Sequence, residues 1–100
     1  MMYLREDWQT PTYASVRGGL GDGLVTLAKQ DDRVVALSAD LVGSVGFGKF
    51  AEHIGAPRLI EVGVAEQNLV TVASGLAAMG NIPFAASYAS FSPGRNWEQI

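Results

Sequence analysis

The sequence contains no cysteine among its 100 residues. Disulfide bonds and thiolate metal sites are therefore excluded, and a reducing compartment is the default expectation. No apolar run reaches the ~20 residues that a membrane-spanning helix requires. Residues 1–10 also lack the apolar centre of a signal peptide. These absences predict a cytoplasmic location.

Charged residues are scarce and show no basic excess. Seven Lys and Arg stand against ten Asp and Glu, which gives a formal net charge of −3. A nucleic-acid or anionic-membrane surface would need clustered Lys and Arg, so neither is predicted as a partner. The hydrophobic content of 48% is that of an ordinary globular protein, and the length allows a single domain with a modest core.

Strand and helix signals alternate along the chain. Short apolar runs typical of buried parallel strands occupy residues 34–38, 58–62 and 82–87. Helical spacing of apolar residues marks one helix that begins at Thr10-Pro11-Thr12 and a second that covers residues 66–79. The buried face of the first is predicted from Val16, Leu20, Leu24, Leu27 and Ala28. The alternation predicts an α/β fold, with a mainly parallel sheet and helices on both faces.

Glycines are frequent inside the first predicted helix. Each costs about 1 kcal/mol relative to Ala, so tertiary packing must stabilise this segment. A phosphate loop is disfavoured because the dinucleotide spacing is missing and no strand precedes the glycines. Close packing, against this chain or a partner subunit, is the preferred interpretation. The glycines concerned are Gly18, Gly19, Gly21 and Gly23.

Residues 43–50 contain the strongest competing motif. They follow a predicted strand and match a nucleotide-binding phosphate loop at both terminal glycines and at Lys49. The match fails at Phe50, which stands where Ser or Thr should hold the magnesium ion. A flexible loop followed by a short helix is preferred, and a nucleotide binder stays as an alternative.

Residues 59–68 are typical of a strand, a tight turn and the start of a helix. Gly63 permits the reversal, so Glu66 is predicted in the first helical turn at the carboxyl edge of the sheet. Asp40 follows the preceding strand and belongs to the same edge. Ligands bind at this edge in open α/β sheets. Glu66 can therefore serve chemistry, or only interact with the helix dipole.

These segments resemble the pyrimidine-binding region of transketolases, particularly the short, split bacterial type. The matching segments keep the family's order and approximate spacing from about Tyr13 to the last residue. They are Ser38-Ala39-Asp40-Leu41, residues 60–68, Ile82-Pro83-Phe84, Tyr88-Ala89-Ser90-Phe91 and residues 94–100. The resemblance implies an N-terminal arm at residues 1–12 and a partial pyrimidine-binding domain at residues 13–100. The family's domain is longer, so a truncated version of the thiamine-diphosphate-binding fold is expected.

The resemblance also implies a function. It is that of a transferase component that moves a two-carbon ketol unit between sugar phosphates in the pentose phosphate pathway. Glu66 would hydrogen-bond the aminopyrimidine of thiamine diphosphate and favour the imino tautomer that removes the thiazolium C2 proton. Asp40, Leu41 and Tyr88 would line the cofactor site, and Phe91 would stack on the pyrimidine.

The resemblance implies that diphosphate and Mg²⁺ are held by a partner domain or subunit. No metal ligand is assigned in this chain, which alone should hold half a site and be inactive. A dimer or larger homo-oligomer is expected. Alternatives are a relative of deoxyxylulose phosphate synthase, a 2-oxoacid dehydrogenase beta subunit, or a non-catalytic assembly module. His53 and Glu61 receive no role. Arg95 lies near an arginine that the synthases use toward substrate, and a helix is expected to open there.

Overall fold

The computed structural model describes residues 6–100. Its elements alternate along the chain: α1 Val16–Gln30, β1 Val34–Ser38, α2 Gly48–His53, β2 Leu59–Glu61, α3 Glu66–Ala78 and β3 Ile82–Ala86. The three strands form one parallel sheet in the order β2-β1-β3. The predicted α/β class with a parallel sheet is confirmed. Residues 1–5 of the predicted arm lie outside the described residues, and residues 6–10 form a turn.

Strand β1 is the centre of the fold, and all five of its residues are buried. Its side chains alternate between the two faces of the sheet, as the pleat requires. Val34 and Ala36 pack with α1, Phe47 and Phe50 on one face. Val35 and Leu37 pack with Leu69 of α3 on the other. The prediction of helices on both faces is confirmed.

Helix α1 begins later than the sequence predicts. Ser15 is its N-cap, and the Ser15 hydroxyl accepts a hydrogen bond from the backbone N–H of Gly18 at 3.3 Å. Thr10 instead closes a turn by donating its N–H to the carbonyl of Asp7. The predicted start at residues 10–12 is therefore wrong, since the hydroxyl of Ser15 satisfies one of the free donors of the first turn.

The buried face of α1 is also rotated relative to the prediction. Leu24 and Ala28 are buried as expected, but Val16 is 90% exposed, and Leu20 and Leu27 are more than one-third exposed. The residues that face the core share the spacing i, i+3, i+4 and i+7. They are Gly21, Leu24, Val25 and Ala28.

Gly21 explains the rotation, because it is the point of closest approach to the neighbouring loop. A Cβ at Gly21 would lie 2.6 Å from the carbonyl oxygen of Gly46. Within residues 6–100, a Cβ at Gly19 or Gly23 would have no neighbour within 4 Å. Close packing is thus the use of Gly21, and its contact is inside this chain.

We expect Gly21→Ala to lower the free energy of unfolding by about 1–3 kcal/mol, the usual cost of overpacking. This loss should appear although Ala is the better helix former by about 1 kcal/mol. Gly23→Ala is the matched control, since it lies in the same helix with open space around it, and it should stabilise the chain by about 0.5–1 kcal/mol. Urea unfolding followed by circular dichroism measures both. Equal stabilisation by the two changes would refute the packing role of Gly21.

The segment that resembles a phosphate loop is used for packing. Residues 42–46 form turns, and α2 begins at Gly48, so the predicted loop and short helix are confirmed. Phe47 and Phe50 are buried in the core. Lys49 pairs with Asp22 of α1. The lysine that a nucleotide phosphate would need thus bridges two helices.

Helix α3 and its C-terminal turn match the prediction within one residue. Gly80 has φ +93°, and the N–H of Asn81 donates to the carbonyl of Leu76 at 3.0 Å, which completes a left-handed cap. The apolar residues of α3 that pack on the sheet recur at helical spacing, and they are Leu69, Val72, Ala73 and Leu76. The small residues on the other side of the helix are not buried. Ser74, Gly75, Ala77 and Ala78 are exposed, since a narrow three-stranded sheet covers only one side of the helix.

Residues 89–99 form consecutive turns rather than the helix expected from residue 95 onward. Pro93 has no N–H to donate, and Gly94 occupies a tight turn in which a Cβ would overlap the carbonyl oxygen of Ser90.

Within residues 6–100, no helix is long and apolar enough to cross a membrane.

Candidate functional site

Glu66 is the first residue of α3, at the carboxyl edge of the parallel sheet. The chain leaves β2, turns at Gly63 with φ +73°, and enters the helix through Ala65. Ala65 supplies no side-chain cap, so the Glu66 carboxylate is the acidic group of the first turn. Only 4% of Glu66 is exposed. The structure thus places a buried carboxylate at a helix N-terminus, where the helix dipole favours negative charge.

Arg95 connects this carboxylate to the aromatic residues that follow β3. Its Nη1 lies 3.5 Å from Oε2 of Glu66. Its guanidinium carbon lies 4.1 Å from the centroid of the Phe91 ring, a cation–π contact. The Phe91 ring lies 5.9 Å from that of Tyr88, at an interplanar angle of 43°. Three predicted site residues, Glu66, Phe91 and Tyr88, are therefore linked in one group through Arg95.

Asn96 holds the turn that carries these groups against α3. It is fully buried, and its amide nitrogen donates to the backbone carbonyl of Glu66 at 3.0 Å and to the Ser92 hydroxyl at 3.0 Å. The N–H of Arg95 donates to the carbonyl of Phe91 at 2.8 Å. The buried amide of Asn96 thus connects the turn that contains Arg95 to the first residue of α3.

An open cleft of about 460 Å³ lies at the start of α3, and residues 64–68 and Arg95 line it. Gln67 and Asn68 are exposed at its wall. Glu66 is at the buried side of this cleft, and the guanidinium of Arg95 lies beside its carboxylate.

Asp40 and Leu41 lie at the same sheet edge but outside the lining of this cleft. Asp40 has φ +62° and donates its backbone N–H to Oε1 of Glu61, and that oxygen also accepts the N–H of Gly63 at 3.1 Å. Leu41 is half-buried against the α1 side of the core. Glu61, to which the sequence assigned no role, therefore ties the loop after β1 to the loop after β2.

Sequence reasoning missed the roles of Asn96 and Glu61, because both depend on contacts between segments far apart in the chain. The signal for Arg95 was its place in the matching segment at residues 94–100. His53 is exposed at the end of α2. Within residues 6–100, no group of three His, Asp or Glu side chains is placed to hold a metal ion.

The amino edge of the sheet has a separate set of charged contacts. Side-chain hydrogen bonds from the Arg33 guanidinium lower the pKa of Asp31 to about 2. Arg58 donates Nε to the carbonyl of Val34 and Nη2 to the carbonyls of Ala28 and Asp31, each at 2.9 Å. These contacts join α1 to the strands at the end opposite Glu66.

One known protein family matches most of this chain. Residues 12–100 match the family described as "Transketolase, pyrimidine binding domain". The chain belongs to this family. It is therefore a transketolase-type pyrimidine-binding domain, and the resemblance inferred from the sequence is confirmed.

Three relatives illustrate the range of the family. The 6-deoxy-6-sulfo-D-fructose transketolase subunit SqwH of Clostridium sp. (strain MSTE9) is 42% identical over 97 residues, which is 97% of this chain and 28% of the relative. A Methanocaldococcus jannaschii protein with the provisional name of transketolase C-terminal section is 43% identical over 88 residues, 88% of this chain and 28% of the relative. The 1-deoxy-D-xylulose-5-phosphate synthase of Oleidesulfovibrio alaskensis is 39% identical over 90 residues, 90% of this chain and 13% of the synthase.

The chain thus spans less than one-third of the length of each of these relatives. Two of the relatives are named as a subunit or a section of a transketolase. The part that matches is the pyrimidine-binding domain, which the structure describes as a three-stranded parallel sheet with helices.

Proposed function

We propose that this chain is the pyrimidine-binding part of a thiamine-diphosphate-dependent transketolase, in which Glu66 activates the aminopyrimidine of the cofactor. The observation that carries this proposal is a buried carboxylate that Arg95 links to an aromatic face at the carboxyl edge of a parallel sheet. Residues 13–100 are then the partial domain and residues 1–12 its N-terminal arm.

The residues at this edge fit an aminopyrimidine ring. A flat, uncharged heterocycle needs an aromatic face to stack on and a hydrogen-bonding group at its edge. The ring of Phe91 provides the aromatic face, and the guanidinium carbon of Arg95 already lies 4.1 Å from its centroid. Glu66 offers the carboxylate. The hydroxyl of Ser87, just after β3, is buried without a hydrogen-bond partner in the described residues, so a polar atom remains to be satisfied there.

Thiamine diphosphate, when bound, supplies the acidic thiazolium carbon and the electron sink for two-carbon transfer. The residues of this chain orient the pyrimidine and manage one proton. Glu66 would hold a proton between its carboxyl group and the ring nitrogen, and its burial keeps water away from that bond. Phe91 would fix the plane of the ring, Tyr88 would support Phe91, and Asp40 and Leu41 would bound the site from the loop after β1.

A partner should complete the site. Diphosphate and Mg²⁺ need several charged or oxygen ligands. We assign them to a diphosphate-binding domain or subunit, because two relatives are named as a subunit or a section of a transketolase. We also propose sugar phosphates as substrates, the cytoplasm as the location and a homo-oligomer as the assembly. A 1-deoxy-D-xylulose-5-phosphate synthase activity is the second candidate, because one of those synthases is 39% identical over 90 residues.

We expect the chain alone to bind thiamine diphosphate with Mg²⁺ only weakly, and the complex with a transketolase diphosphate-binding half to bind it at micromolar concentration or better. Isothermal titration calorimetry measures both, with MgATP as the matched anionic control. Sub-micromolar binding of thiamine diphosphate by the chain alone would contradict the prediction that it holds only half of the cofactor site. Binding of MgATP in preference to thiamine diphosphate would favour the nucleotide alternative, and an inert complex that assembles but binds neither would favour an assembly module.

A further inference from the structure

Arg95 occupies the space that the proposed function gives to the aminopyrimidine. Its guanidinium stacks over Phe91 at 4.1 Å and lies 3.5 Å from the Glu66 carboxylate. These are the aromatic face and the hydrogen-bonding group to which the pyrimidine is assigned. Two planar groups cannot share one face of one ring. We propose that Arg95 fills the pyrimidine position in the free chain and must withdraw before the cofactor binds. This inference rests on the proposed function.

A guanidinium is chemically suited to this place. It is planar, delocalised and weakly hydrated, so it stacks on an aromatic face as a heterocycle does. Its N–H groups point outward in the plane, toward a carboxylate at the edge. Arg95 therefore gives the buried Glu66 carboxylate a cationic partner in the free chain, where a buried charge without a partner would be costly.

The contacts of Arg95 with Glu66 and Phe91 are weak enough for a bound pyrimidine to replace them. The side chain of Arg95 is 52% exposed, whereas that of Glu66 is 4% exposed. Ion pairs and cation–π contacts near solvent contribute little, since water screens the charges. The backbone of Arg95 is held by its N–H bond to Phe91 and by the neighbouring buried Asn96. Withdrawal therefore needs only a rotation of the side chain into solvent.

If the pyrimidine replaces the Arg95 guanidinium, the two groups compete for the same position. The measured dissociation constant is the intrinsic constant divided by the fraction of molecules in which the position is free. Removal of the guanidinium should therefore tighten binding of the pyrimidine, although it removes a positive charge. A residue that contacts the bound pyrimidine favourably would have the opposite effect.

The test uses the isolated chain and 4-amino-5-hydroxymethyl-2-methylpyrimidine, which carries the ring of the cofactor and needs no diphosphate site. NMR titration should show weak binding by the unmodified chain, on the order of millimolar for so small a fragment. Arg95→Ala should bind it about 3- to 20-fold more tightly, which reflects the strength of the contacts removed. Arg33→Ala, which removes the same charge at the other sheet edge, should leave the affinity unchanged.

A second measurement follows Arg95 itself. In the free chain its side-chain protons lie over the Phe91 ring, so the ring current should shift them upfield. The shift should vanish in Phe91→Leu and on addition of the pyrimidine to the unmodified chain.

Weaker or unchanged pyrimidine binding by Arg95→Ala, with binding by the unmodified chain intact, would overturn the inference and leave the proposed function standing. An upfield shift that persists at saturation with pyrimidine would do the same. If neither the unmodified chain nor Arg95→Ala binds the pyrimidine, the pyrimidine site itself is wrong, and the proposed function fails together with the inference.

Discussion

Glu66→Gln should slow hydrogen exchange at the thiazolium C2 of bound thiamine diphosphate by about 10²–10⁴-fold, the usual contribution of a positioned acid or base. The change is nearly isosteric, and it replaces a group that can release a proton by an amide that cannot. The exchange is measured by deuterium uptake in the chain reconstituted with a diphosphate-binding half. Binding of the cofactor is measured in the same samples.

The stability of the chain separates this role from a purely structural one. A first-turn carboxylate that serves only the helix dipole contributes about 0.3–1 kcal/mol, and its loss would leave exchange normal. Glu52→Gln is the control, because Glu52 is an exposed carboxylate of α2. Glu61 would be a poor control, since it holds the backbone of Asp40. Wild-type exchange by Glu66→Gln with the cofactor bound would refute the catalytic assignment.

The central strand and its neighbours were predictable, because their signals are local. Val34–Ser38 is a continuous apolar run, and a strand covered on both faces has no reason to alternate. The glycine at residue 63 and the helical spacing after Glu66 placed this carboxylate at the sheet edge, where the structure has it. A site at strand ends follows from the topology of a parallel sheet, so it needs no knowledge of side-chain contacts.

The orientation of α1 was not predictable from apolar spacing. Val16, Leu20 and Leu27 are as apolar as the buried residues, and the pattern cannot tell which of two neighbouring stripes faces the sheet. The deciding residue is Gly21, which has no side chain and so contributes nothing to a count of apolar residues. Its contact with Gly46 is between segments far apart in the chain.

The group around Arg95 was missed for a related reason. Residues 95–100 have helical composition, but Gly94 and the buried amide of Asn96 impose successive turns. Those turns place Arg95 over Phe91, four residues earlier, and beside Glu66, which is in another element. A sequence indicates which residues can bear charge, but the partner of each charge depends on the fold.

The two edges of the sheet therefore differ in the contacts that they hold. The carboxyl edge holds Glu66, the aromatic pair and an open cleft, whereas the amino edge holds the bonds that Arg58 makes. Changes at the carboxyl edge should alter binding and exchange more than stability. Changes at the amino edge should do the reverse.

Arg58→Met should lower the free energy of unfolding by about 2–5 kcal/mol. The side chain is only 20% exposed, and its guanidinium donates to three backbone carbonyls, including that of Ala28 in the last turns of α1. Hydrogen bonds from charged donors contribute about 1.5–3 kcal/mol each, and they are not additive. Met keeps the apolar stem and leaves the three carbonyls without this donor. Urea unfolding followed by circular dichroism gives the loss.

Arg17→Met is the matched control, because Arg17 is exposed and donates to one backbone carbonyl, that of Ser44 at 3.1 Å. Its loss should cost about 0.5–1.5 kcal/mol. Arg58→Lys should fall between the two, since one ammonium cannot reach three carbonyls in the geometry of a planar fork. The upfield shift of the Arg95 protons should persist in the folded fraction of Arg58→Met, since Arg58 lies at the opposite edge from Glu66. Equal losses from Arg58→Met and Arg17→Met would show that the three bonds of Arg58 do not stabilise the amino edge.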